Sequence, residues 1–180
     1  MNKTAIIIPS RLAAERLPNK PLKMIKNKEM IIHVYEAAIK SKSGEVIVAT
    51  PDKEIAEIIK KIGGRVELTN KNHLTGTDRV FEVFKNVLQQ KSEVIINLQG
   101  DMPNIDPKVI SNLVEYMKKK ECDIGTYASD FNSEEEKKDQ NIVKVLVKNK
   151  ISEETFVGAT DFLRDYNHLQ NVYHHIGIYG

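Results

Sequence analysis

Two kinds of apolar run alternate along the chain. The first kind is short, mostly apolar and rich in β-branched residues: Thr4 to Ile8, Val46 to Ala49 and Val94 to Leu98, with Arg65 to Leu68 as a further short expected strand. Such runs suit strands covered on both faces, where no polar alternation is needed. The second kind repeats every three or four residues. Met30 to Lys40 is one. Another follows Thr50-Pro51-Asp52, where Thr50 is the expected N-cap, and carries Ile55, Ile58, Ile59 and Ile62 before Gly63-Gly64 ends it. Thr77 to Gln90 and the stretch opened by Asp106-Pro107 repeat the helical spacing. Asp123 to Ala128 and Ile142 to Val147 are further expected strands, and SEEEKKD between them reads as a solvated loop. Strands alternating with helices predict an α/β fold with a parallel sheet covered on both sides. In such sheets ligands bind beyond the carboxyl ends of the strands. The loops to search are therefore Pro9 to Asn27, Thr50 to Asp52, Thr69 to Arg79 and Gln99 to Asn104.

Composition narrows the class. With 180 residues, 41% hydrophobic and 29% charged, the chain has the make-up of a globular protein of one domain or one domain plus a small lobe. A net charge of +2 gives no nucleic-acid surface. The run AIII is too short for a signal or membrane segment, and the single Cys122 allows neither an intrachain disulfide nor a cysteine zinc site. A reducing cytoplasm is the expected location. The charge is uneven, however. Lys3, Arg11, Arg16, Lys20, Lys23, Lys26 and Lys28 outnumber Glu15 and Glu29 in the first thirty residues. That cluster fits a small polyanion, or simply a solvated basic face.

Several loops offer chemistry. Pro9-Ser10-Arg11 to Pro21 sets two arginines and a lysine on a proline-stiffened turn; arginine presents a planar fork and lysine a point charge to phosphate or carboxylate. The GxxxxGK[ST] spacing is absent, and no glycine precedes Gly44, so neither a P-loop nor a dinucleotide fingerprint is present. Thr75-Gly76-Thr77-Asp78-Arg79 stands before a helix, where the hydroxyls can meet a ligand or cap the helix. Gln99-Gly100-Asp101 follows a strand, where the carboxylate can hold Mg²⁺ or form a turn. His33 sits among apolar helix positions and is expected to be structural. His174 and His175 are adjacent in an extended segment and must face opposite ways, so they do not form a bidentate metal site.

In combination the segments IPSRLAAERLPNKPL, HVYEAA, VIVATPD, LTGTDR, NLQGDMP, NIVKVL and HHIGIY follow the order seen in the CMP-Kdo synthetases (3-deoxy-manno-octulosonate cytidylyltransferases), and the chain resembles that family over nearly its whole length. The resemblance implies a three-layer, Rossmann-like, mostly parallel sheet of the nucleotide-diphospho-sugar transferase type, with a nucleotide-binding domain over residues 1–150 and a partial sugar-binding and dimerisation segment over 151–180. It implies transfer of CMP from CTP to the anomeric hydroxyl of Kdo, with release of pyrophosphate, for lipopolysaccharide synthesis. It places Pro9, Ser10, Arg11 and Lys20 at the phosphates, and Thr50, Asp52, Thr75 and Gly76 near the cytosine and ribose. Asp101 takes the Mg²⁺ position, and Arg16, Gln99, His175 and Tyr179 the acidic sugar. Arg11, Lys20 and Asp101 are the expected catalytic residues, and a homodimer is the expected assembly.

The chain departs from the family at Ser10, Ala14 and Asn19, where Ala, Ser and Gly are usual, and over Ile151 to Asn171, where the aromatic-Ser-Arg-x-x-Ile-Pro segment is missing. It also ends at Gly180, ahead of a C-terminal section that in the family carries a second metal-binding aspartate. Three alternatives stay open at this point: a shortened relic without turnover, a non-enzymatic CTP-binding module, and a CMP-acylneuraminate synthetase. The last shares the opening motif but fits the GTDR and HIGIY segments less well.

Overall fold

The computed structural model describes residues 4–13, 17–119, 122–152, 156–165 and 170–180. In chain order, β1 (Thr4–Pro9) leads through a 3₁₀ turn (Lys20–Leu22) and a short hairpin, β2 (Met24–Ile25) and β3 (Lys28–Glu29), into α1 (Met30–Lys40). Then come β4 (Glu45–Thr50), α2 (Lys53–Lys61), β5 (Arg65–Leu68), α3 (Gly76–Asn86), β6 (Val94–Leu98) and α4 (Pro107–Lys118). The remainder is β7 (Thr126–Ser129), α5 (Glu134–Lys138), β8 (Lys144–Val147), β9 (Ala159–Leu163) and β10 (Val172–Tyr179).

The main sheet runs β5-β4-β1-β6-β10-β8-β9, with β7 also paired to β10. From β5 to β6 it is parallel; every pairing made by β10 and by β9 is antiparallel. The uninterrupted apolar runs are explained by their place. Ile6, Ile7 and Ile8 have no exposed surface, because both faces of β1 are covered. Each such burial contributes about 2 kcal/mol. On one face Ile6 and Ile8 pack with Ile31 and Val34 of α1, Ile55 and Ile59 of α2, and Ile110 and Leu113 of α4. On the other face Ile7 and Ile47 pack with Val80 and Val83 of α3.

The chain leaves β1 toward β4 and β5 on one side, then crosses to β6 on the other. The strand order therefore reverses at β1, and loops after β1 and β6 diverge to leave a crevice at their carboxyl ends. Residues 151–180 supply β9 and β10, and β10 lies inside the main sheet between β6 and β8.

Three local expectations are corrected. Thr50 is not an N-cap: it is the last residue of β4, and Asp52 takes the capping position of α2 without a side-chain cap bond. The Asp52 carboxylate is instead engaged by Leu12 N–H at 2.8 Å. SEEEKKD is not wholly a loop: Ser133 caps the five-residue α5. Thr77 to Gln90 is helical only to Asn86, and Gln89 and Gln90 take positive φ.

Candidate active site

The crevice at the strand-order reversal holds a cavity of about 290 Å³, near the lower bound of small-ligand clefts at roughly 300 Å³. Three loops line it. After β1 come Pro9, Ser10 and Arg11, then Lys20 and Pro21; after β5 come Thr75, Gly76 and Arg79; after β6 come Gln99, Gly100 and Asp101, with Met30 of α1 beneath.

The loop after β1 is held at several points. Ser10 N–H donates to Ala49 O (2.9 Å), Leu12 N–H to Asp52, and Asn19 N–H to Leu12 O (3.2 Å). Asn19 itself is left-handed, φ 56°, which asparagine tolerates better than most residues. This turn delivers Lys20, whose Nζ lies 2.7 Å from the Asp101 carboxylate, residues 81 positions apart in sequence. The two side chains are 37% and 52% exposed. A pair so open to solvent is worth at most about 1 kcal/mol, so a polyphosphate can separate it at little cost.

Close backbone approach shapes the floor. A Cβ on Gly100 would lie 3.0 Å from Pro9 O and 3.4 Å from Ser10 Cβ, so any larger residue would press the β6 loop back from the β1 loop by a few tenths of an ångström. Ser10 Oγ is buried and has no hydrogen-bond partner. Such a hydroxyl is uncommon in a folded interior and fits a ligand acceptor or donor in the cavity it lines.

The α3 side of the cavity carries positive character. Thr75 is the N-cap, with Thr75 Oγ1 accepting from Asp78 N–H (3.1 Å) and the Asp78 carboxylate accepting from Thr75 N–H (3.0 Å), a reciprocal capping box. Capping and cavity lining thus coincide at Thr75, and the helix start faces an incoming anion. Arg79 is 2% exposed. Its guanidinium is anchored by Thr69 Oγ1 and by Asn70 O (3.0 Å). Burial first, and then the neighbouring Arg11 charge, push it below the usual arginine value. Met30 belongs to no candidate motif in the sequence, and Arg79, Pro21 and Gly100 stand in the motifs without an assigned ligand contact. A signal existed for Arg79, which directly precedes Val80 and stands four residues before Val83 on the buried side of α3.

A second group lies on β10. His175 and Tyr179 have ring centroids 5.4 Å apart, and Phe162 meets His175 edge-on at 5.0 Å. His174 faces the other way and stacks on Phe131. Thr126 Oγ1 donates to Ile178 O (2.6 Å), so at 2.9 Å it accepts from His175 Nε2. That assigns the neutral-ring proton to Nε2 and leaves Nδ1 as an acceptor. Burial, then the His174 charge, lower the His175 pKa below 6.5; burial raises the Tyr179 phenol. Gly177 joins the two groups, since a Cβ there would sit 3.7 Å from Gln99 Cγ. Gln99 in turn donates to Asn97 Oδ1 (2.9 Å).

Of the expected site residues, Pro9, Ser10, Arg11, Lys20, Thr75, Gly76, Gln99 and Asp101 line one cavity. Thr50 is fully buried and accepts from Asp52 N–H (3.1 Å), so these two support the turn instead of lining the cavity. Arg16 lies outside the described residues. His33 is structural, 2.9 Å from Ile25 O through Nε2.

The chain matches the cytidylyltransferase family model over residues 5–180. It is 38% identical over 190 residues to the 3-deoxy-manno-octulosonate cytidylyltransferase of Thermodesulfovibrio yellowstonii, a match spanning 98% of this chain and 74% of that one. The chain belongs to the 3-deoxy-manno-octulosonate cytidylyltransferase family. The Glaesserella parasuis member is 38% identical, with 97% of this chain and 72% of that one covered. Among solved structures, CMP:2-keto-3-deoxy-manno-octonic acid synthetase complexed with CTP superposes with a TM-score of 0.84 at 34% identity, over 98% of this chain and 72% of that one. The nucleotide-sugar transferase α/β fold expected from sequence is therefore the fold of this family member.

Proposed function

We propose that this protein transfers CMP from CTP to the anomeric hydroxyl of 3-deoxy-manno-octulosonate, releasing pyrophosphate. The observation that carries this reading is the meeting of Lys20 and Asp101 at the mouth of the cavity lined by Ser10 and Arg11, in a chain of this family. Attack on the α-phosphate spreads negative charge over phosphoryl oxygens. Lys20 and Arg11 supply the compensating charge, one as a point and one as a fork. Ser10 Oγ and the α3 start offer polar partners to the chain of phosphates. Arg79, already pinned by Thr69 and Asn70, forms a fixed cationic wall. Neutral His175, with Tyr179 and Gln99, forms the adjoining polar face for the sugar, with Nδ1 free of a proton to accept from a hydroxyl.

The residues present fit Mg²⁺. The cavity has one carboxylate, Asp101, and no cluster of three acidic, histidine or cysteine side chains exists among the described residues. Mg²⁺ commonly takes one or two carboxylates and completes its shell with substrate phosphates and water. Asp101 would hold it. When bound, the ion supplies charge neutralisation and acidifies the attacking hydroxyl. A homodimer in the cytoplasm, serving lipopolysaccharide synthesis, completes the proposal.

Pyrophosphate release from CTP tests it. Release is expected only with both Kdo and Mg²⁺ present, and Asp101→Asn is expected to abolish metal-dependent turnover while circular dichroism stays unchanged. CTP binding indifferent to Kdo and Mg²⁺, without pyrophosphate release, would instead identify a binding module. Preference for neuraminic acid would identify the sister activity.

A further inference from the structure

Lys144, in β8, has no exposed surface at all and is the bulkiest side chain so completely enclosed among the described residues. A buried ammonium ordinarily has a carboxylate beside it. This one has no carboxylate within ion-pairing distance among the described residues. Its Nζ donates instead to three backbone carbonyls, Asp139 O (2.5 Å), Ile142 O (3.0 Å) and Arg164 O (2.6 Å). Three donors meet three acceptors, so the ammonium is fully satisfied. The two carbonyls between are also given to a cation: Arg164 Nη1 donates to Gln140 O (3.1 Å) and Asn141 O (3.2 Å). Every carbonyl of the 139–142 turn is therefore turned toward a positive charge.

Carbonyl oxygens converging without an acidic group are the donor set of a monovalent cation, since they replace the hydration shell without adding charge. Divalent ions need anionic ligands that this cage lacks. We infer that the carbonyls of Asp139, Ile142 and Arg164 form a monovalent-cation site whose resident ion is the chain's own Lys144 ammonium. A neutral filler of the same shape cannot take that place, because it removes the ammonium's three donors from the converging carbonyls, of which Asp139 O also accepts from Ile142 N–H (3.1 Å). The tether makes the β8–β9 region independent of the salt around it. It also reaches the site, for Lys144 pairs with His174 across the ladder, next to His175. None of this depends on which nucleotide or sugar the protein takes.

The test is thermal unfolding of the full chain with Lys144→Ala and Lys144→Met, in KCl, NH₄Cl, LiCl and choline chloride at one ionic strength. The native protein is expected to melt at the same temperature in all four. Lys144→Ala should melt lower in choline chloride by roughly 5–10 °C, and K⁺ or NH₄⁺ should restore at least half of the loss in a saturable way. Lys144→Met should melt low in every salt, because its thioether chain blocks the space. Equal response of Lys144→Ala to all cations, or a Lys144→Met variant as stable as the native protein, overturns the inference. If Lys144→Ala folds in no salt, nuclear magnetic resonance of the native protein decides. A slowly exchanging ammonium coupled across hydrogen bonds to the carbonyl carbons of residues 139, 142 and 164 supports the site, and its absence refutes it.

Discussion

Lys20 shows how much one side chain contributes at this cavity. Its pairing with Asp101 adds little to folding, because both groups are solvated. Its value lies in the charged state that forms during phosphoryl transfer, when a preorganised cation costs no reorganisation. Lys20→Ala is therefore expected to leave the melting temperature within about 2 °C. Its kcat should fall by about 2–4 kcal/mol of transition-state stabilisation, roughly 30- to 1000-fold. Steady-state pyrophosphate assays beside calorimetry separate the two effects; a stability loss with normal kcat would assign Lys20 to structure. Arg79 makes the complementary case. Its type was visible in the sequence, but its use was not, since an arginine on a helix usually points to water. Here Thr69 and Asn70 accept from it and hold it at the cavity.

At the scale of elements, the Thr126 hydroxyl reinforces the antiparallel pairing of β10 with β7. Thr126 accepts from His175 and donates to Ile178 O, which orients the ring, while burial and then the His174 charge favour its neutral form. The sign of the pH effect follows. A histidine whose folded pKa lies below 6.5 takes up its proton more readily when unfolded. Its contribution to stability is complete above about pH 6.5 and is lost as pH falls toward the lowered folded value. Melting temperatures at pH 7.5 and pH 5.5 should therefore differ more for the native protein than for His175→Phe. Equal differences would remove His175 as the source. The register here was legible only in part. HHIGIY reads as extended in sequence, and the opposite facing of His174 and His175 follows from strand geometry alone. Its antiparallel place against β6 did not, because pairing direction depends on which strand arrives beside it.

Across the whole molecule, β10 ties the last thirty residues to the first hundred. It pairs with β6 through Ile178 and Tyr179, and Ile178 is fully buried in the core formed by α1, α2 and α4. Breaking that contact leaves an open edge on β6 beside Leu98, the partner of Ile178. Thermal unfolding followed by tyrosine fluorescence, far-ultraviolet circular dichroism and calorimetry is accordingly expected to give one coincident transition. Separate transitions would show that residues 151–180 melt as an independent unit.

The chain by itself determined the parallel strands, the helices between them and the motifs that place it in its family. Buried runs and helical stripes are local patterns enforced by chain geometry, and they need no knowledge of neighbours. It also set Asn19 and Gly100 where the backbone must turn or approach closely. Only the tertiary structure decided that Asp52 clasps Leu12 and that Arg79 forms a cavity wall. The same is true of the pairing of Lys20 with Asp101 and of the three carbonyls that enclose Lys144. Each of these joins groups on separate loops or strands, and their partners are fixed by the order in which strands assemble, a property that no stretch of sequence carries alone.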